Sequence, residues 1–148
     1  MMERGLRFVR VQGKQEDNLP LVRVSLRRGK SAAYRKAILD GIYQAMISTF
    51  NVPNEDRFMV INEHDEPDFS YSPTYFNIAR TDDLILIQLT VSNTRNVEQK
   101  KALFRRIVDN LKASPGVRPE DVFINLVEVD PANWSFGHGI AQYVADKT

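Results

Sequence analysis

The chain has 148 residues, with 20 basic and 19 acidic side chains, a net charge of +1 and no cysteine. That length predicts one domain, and the near balance of charge gives no drive toward nucleic acid or an anionic membrane. The absence of cysteine excludes disulfides, thiolate zinc sites and a cysteine nucleophile, and no apolar run reaches the roughly 18 residues of a membrane span.

The first nineteen residues carry acids and lack the apolar centre of a signal peptide, so a cytoplasmic protein is expected. Within them LRFVRVQ (Leu6–Gln12) alternates like a strand. They read as an extension, and residues 20–148 as a single domain.

From Pro20 onward the chain repeats itself. Pro20–Asp65 lies over Ile85–Asp130 at a constant offset of 65 residues with no gap, and ten of the 46 aligned pairs are identical. Ten identities alone decide little, but the secondary-structure signals recur in the same register. Each copy opens on a β-rich run, LVRVSL (Leu21–Leu26) and LILIQLTV (Leu84–Val91). A helix follows, from Ser31 with Tyr34, Ala37, Ile38, Ile42, Ala45, Met46 and Thr49 on one stripe. Its counterpart starts at Asn96, with Gln99 as capping-box partner, and lines up Leu103, Phe104, Ile107, Val108 and Leu111. Asn51 and Ser114-Pro115-Gly116 are helix stops. A second strand closes each copy, RFMVINEH (Arg57–His64) and DVFINLVEV (Asp121–Val129).

Each copy is therefore β-α-β with parallel strands, because crossovers of this kind are right-handed. Two such units predict an α+β fold: a four-stranded mixed sheet with two helices on one face. The other face, assigned Val22, Val24, Leu86, Gln88 and Thr90, is partly apolar, and self-association covers it most economically. Glu66–Asp83 reads as loop with one short strand, and the tail from Pro131 as a turn and a short strand.

Familiar chemical templates are missing. His64 and His138 stand in no ligand spacing, and there is no glycine-rich phosphate loop, GxSxG or HExxH, so neither metal nor cofactor is expected. Duplicated βαβ units also suggest an RNA-recognition module, but its aromatic strand signature is missing and the charge is unsuited.

Four features remain: Pro20 at the mouth of the first strand, a VPxxDR turn (Val52–Arg57), Arg95 before a capped helix, and a late NWSFGHG. Together they resemble the tautomerase superfamily, and within it the malonate semialdehyde decarboxylase branch, over Pro20 to about Tyr143. The resemblance implies a homotrimer of tandem βαβ units acting on a small oxo acid, with an amino-terminal proline as catalyst. It maps that proline onto Pro20, the catalytic aspartate onto Asp56 and an active-site arginine onto Arg95. Trp134, Phe136 and Tyr143 fall on the aromatic wall. A second arginine of the branch falls on Asn93, a departure that bears on carboxylate recognition.

The residue types suit the chemistry. A terminal proline nitrogen is a secondary amine with an ordinary pKa near ~8, lowered by an apolar site and raised by a neighbouring carboxylate. As a base it moves a proton between carbon and oxygen of an enol; as a cation or an iminium it takes up the electrons left when CO₂ departs. Arg95 would clamp a carboxylate, Asp56 would orient or activate water, and the aromatic wall would keep the site dry. Each has a plainer reading: a turn cap for Asp56, which recurs as Asp121; a solvated cation for Arg95, which aligns with Lys30; interface packing for the aromatics.

Pro20 is internal in this chain, and an internal proline nitrogen is an amide with no basic lone pair. Three explanations stand: translation starting at Leu19, proteolytic removal of the extension, or a retained extension on a catalytically silent ligand-binding or protein-interaction trimer. The expectation is a decarboxylase or tautomerase conditional on a free Pro20.

Overall fold

The computed structural model describes residues 19–53 and 55–144; the strand expected over Leu6–Gln12 lies outside them. Four strands, β1 (Leu21–Arg27), β2 (Phe58–His64), β3 (Ile85–Ser92) and β4 (Val122–Val129), form one sheet in the order β2-β1-β3-β4. β1/β2 and β3/β4 are parallel and the central β1/β3 pair is antiparallel, so two βαβ units meet along their first strands.

Local chemistry sets the helix ends. Helix α1 (Ala32–Phe50) starts where the Ser31 hydroxyl accepts the Tyr34 N–H at 3.0 Å and stops where Asn51 turns left-handed at φ 55°. In α2 (Val97–Ala113) the capping box closes both ways: the Gln99 N–H donates to the Asn96 side chain at 2.8 Å and the Asn96 N–H to the Gln99 side chain at 3.1 Å. Past α2 the left-handed position falls to Gly116, which aligns with Asn51. Val52 and Val117 then donate their N–H groups to Met46 and Leu111, residues that also align.

Both helices lie on one face. Their stripes (Ile38, Ile42, Met46 and Phe50; Leu103, Ile107 and Leu111) bury against Val22, Val24, Ile87, Leu89 and Val91. The helices come close at Gly41, where a Cβ would stand 2.8 Å from a Leu111 methyl, and Asn110 donates its side-chain amide to the Gly41 carbonyl at 2.9 Å. The buried cluster runs from Val22 to Val117, so a chain beginning at Pro20 keeps all of it. Among the described residues no helix is long and apolar enough to cross a membrane.

Two sequence expectations are corrected. Val22 and Val24 do not share a face with Leu86, Gln88 and Thr90. They pair with Leu89 and Ile87 and are fully buried under the helices, whereas the open face carries Leu21, Arg23 and Ser25 beside Leu86, Gln88 and Thr90. Residues 66–83 and the described tail contain no strand. Each instead begins with a 3₁₀ turn, Glu66–Asp68 and Pro131–Asn133, at the same offset of 65. The repeat thus runs on beyond Asp65 and Asp130, setting Phe69-Ser70-Tyr71 over Trp134-Ser135-Phe136.

Candidate active site

The register brings the relevant termini together. Leu21 at the start of β1 pairs with Phe58 at the start of β2 and with Thr90 near the end of β3, and Ser92 pairs with Val129 at the end of β4. A cleft of about 470 Å³ opens at this end of the sheet. Pro20, itself buried, lies in its lining together with Leu19, Leu21, Phe58, Val129, Trp134 and Phe136. Thr90, Asn133 and Ser135 are its polar lining residues, and among the described residues no charged side chain lines it.

The aromatic wall is built locally. The Trp134 indole donates to the hydroxyl of fully buried Ser92 at 3.1 Å and stacks on Phe136 with centroids 5.5 Å apart. Tyr143 meets Phe136 edge-on at 4.9 Å. Between them the chain doubles back through Gly137 and Gly139 at φ 148° and 70°, conformations that suit glycine, and Gln142 braces the turn. Its side-chain carbonyl accepts the Phe136 N–H at 2.9 Å, and its amide donates to the Gly137 carbonyl at 3.0 Å.

Asp56 sits at the foot of β2 on a pinned turn. The Glu55 N–H donates to the Tyr43 hydroxyl, Glu55 has φ 75°, and the Asp56 N–H donates to the Pro53 carbonyl at 3.3 Å. Partial burial, reinforced by the Glu55 charge, raises the Asp56 carboxyl above the usual aspartate range. Among the described residues its carboxylate takes no hydrogen bond, and it is not part of the cleft lining. Its counterpart Asp121 is fully buried and accepts the Thr81 N–H at 2.8 Å and the Thr81 hydroxyl at 2.6 Å.

The remaining two predicted residues turn elsewhere. Arg95, 8% exposed, donates to the Phe50 carbonyl at 3.1 Å and lays its guanidinium over the Phe50 ring at 4.4 Å. It thereby caps the C-terminus of α1 from the other repeat. Asn93 donates to the Asp130 carboxylate at 2.9 Å, and its N–H to the Val129 carbonyl at 3.0 Å. The first repeat holds the same arrangement with a cation: the Arg28 Nε donates to Asp65 at 2.9 Å and the Arg28 N–H to the His64 carbonyl at 2.9 Å.

Pro20, Trp134 and Phe136 thus share one cleft and Tyr143 backs it, while Asp56, Asn93 and Arg95 stand outside its lining. Sequence reading missed Leu19, Phe58, Thr90 and Val129. Phe58 carried a usable signal, being an exposed aromatic at a strand mouth that recurs as Phe123.

Two family patterns, both described as tautomerase enzyme, match residues 20–77 and 56–137, the first beginning at Pro20 itself. The probable tautomerase YusQ of Bacillus subtilis strain 168 is 42% identical over 126 residues, which are 85% of this chain and 99% of that protein. The chain belongs to the tautomerase family. A second probable tautomerase of the same organism, YrdN, is 32% identical over 87% of this chain and 99% of its own length. Among solved structures, a malonate semialdehyde decarboxylase superposes with a TM-score of 0.77 at 31% identity, covering 83% of this chain and 95% of that one. A fused 4-OT trimer shares the tautomerase fold at a TM-score of 0.69 and 20% identity, over 83% and 97% of the two chains.

Proposed function

We propose that the protein is a proline-dependent tautomerase of small oxo acids, active when its chain begins at Pro20. What carries this reading is the setting of Pro20, buried at the mouth of β1 in an apolar, aromatic-walled cleft with no charged lining residue among those described. Such surroundings disfavour an ammonium, so a freed ring nitrogen holds its lone pair at neutral pH and takes a proton from an enol hydroxyl. The same amine returns a proton to carbon. Asp56, two residues before the start of β2, is the candidate to steady the protonated amine.

The proline reading requires that residues 1–19 be absent from the working enzyme. The tautomerase match that begins at Pro20, and relatives covered almost end to end by 126 to 129 residues of this chain, support that start. Trimerisation through the open sheet face is part of the proposal: Phe58, Val60 and Phe123 are exposed there, and the fused 4-OT neighbour is a trimer.

A second reading, decarboxylation of malonate semialdehyde, is favoured by the likeness to the solved decarboxylase. The engagement of Arg95 with Phe50 and of Asn93 with Asp130 weighs against a strong carboxylate clamp, and so toward tautomerisation. The test follows enol absorbance and CO₂ release side by side, with a chain beginning at Pro20. Phenylenolpyruvate ketonisation reduced at least ~100-fold by Pro20→Ala supports the proposal. Undiminished turnover in that variant refutes it, and CO₂ release without ketonisation selects the second reading.

A further inference from the structure

Leu19, the residue before the proposed catalyst, is 9% exposed and lines the same cleft as Pro20, Trp134 and Phe136. We infer that its isobutyl side chain fills the subsite that, in the freed enzyme, receives an apolar substituent carried next to the substrate's carbonyl carbon. This rests on Pro20 being the reactive amine and on that amine forming an iminium with the oxo acid, beside the proton transfer proposed above.

The peptide bond supplies the alignment. In the full chain the Leu19 carbonyl carbon is bonded to the Pro20 nitrogen. In an iminium the substrate's carbonyl carbon is bonded to that same nitrogen: the lone pair forms the N–C bond, and the carbonyl oxygen departs as water with the nitrogen's proton and one from solvent. Leu19 Cα then marks the enolisable carbon, and the Leu19 side chain marks where a substituent on that carbon lies. The rest of the lining agrees with that substituent being apolar, since Leu21, Phe58 and Val129 line the same cleft as the stacked Trp134 and Phe136. The full chain is consequently blocked twice, by an amide that removes the lone pair and by a leucine that occupies the volume. A start at Pro20 relieves both together. The substrate class that follows is an oxo acid with a branched or aryl group of four or more carbons, in preference to an unsubstituted three-carbon acid.

Trp134 is the only tryptophan in the chain and lines this cleft, so its fluorescence reports occupancy without reference to catalysis. The probes are 4-methylpentanoate and propanoate, titrated into three proteins: the full chain, full-chain Leu19→Gly, and a chain beginning at Pro20. The expected result is saturable quenching by 4-methylpentanoate in all three, at a clearly higher concentration in the full chain than in the other two. Propanoate, with three fewer buried carbons, should need a concentration about tenfold or more higher. A full chain that responds as Leu19→Gly does, or a freed chain that responds equally to both acids, overturns the inference. Phenylenolpyruvate turnover separates this outcome from failure of the proline reading. Acid preference without turnover leaves the subsite standing and removes the catalyst. Turnover without preference does the reverse.

Discussion

Asp56 and Asp121 occupy the same position in two copies of one unit, and among the described residues only Asp121 is tied to the segment that leads into the partner strand β3. It grips Thr81 through both the backbone N–H and the hydroxyl, with Arg118 at 3.3 Å, whereas the Asp56 carboxylate takes no hydrogen bond among the described residues. Asp121 thus holds the fold together, while its twin Asp56 stands at the foot of β2 with no such grip among the described residues.

The two should part in a stability measurement. Asp121→Ala removes a fully buried carboxylate together with its two hydrogen bonds from Thr81, and is expected to cost about 1–3 kcal/mol in denaturant unfolding. Asp56→Asn should be neutral or mildly stabilising at pH 7. Its folded pKa is raised, so the aspartate's contribution is most favourable below the unfolded value near ~3.9 and declines as pH rises through the folded value. The gap between Asp56→Asn and the parent should accordingly close toward pH 3. A gap that widens there contradicts the burial account.

Arg95→Ala removes a guanidinium that caps Phe50 and covers its ring, so the loss should register first in the fold. Urea unfolding is expected to show a deficit of about 1–3 kcal/mol. kcat/KM measured well below the unfolding midpoint then separates the cap from a substrate contact. A variant as stable as its parent but with raised KM assigns Arg95 to the ligand instead.

Most of the fold was legible because both repeats carry the same punctuation. Ser31 and Asn96 cap the helices, Asn51 and Gly116 end up in matching left-handed positions, and the alternating runs fall on the observed strands. The phase of the sheet was not legible, since LILIQLTV is apolar at both parities along much of its length and only pairing shows that Ile87 and Leu89 join Val22 and Val24 in the core. The candidate cleft was legible only in its local parts. An aromatic wall and a strand-opening proline are written locally, but the partners of Arg95 and Asn93 lie 45 and 37 residues away, and no spacing rule reports them.

Asn93 tests how the departure from the decarboxylase pattern matters. In the first repeat the equivalent position already holds an arginine paired with Asp65, so Asn93→Arg should be accepted against Asp130 with a stability change within about 0.5 kcal/mol. In a chain beginning at Pro20, the added guanidinium is expected to raise CO₂ release from malonate semialdehyde relative to enol ketonisation. Both rates rising or falling in parallel would count against a role for this position in handling the carboxylate.

The reactive nitrogen can be caught directly. A chain beginning at Pro20 is mixed with an aldehyde and borohydride and mapped by mass spectrometry, beside the full chain treated alike. The mass of the reduced adduct is expected on the peptide that begins at Pro20, and nowhere near Pro20 in the full chain. A freed chain that carries no adduct at Pro20 yet still turns over an enol would contradict catalysis by this proline.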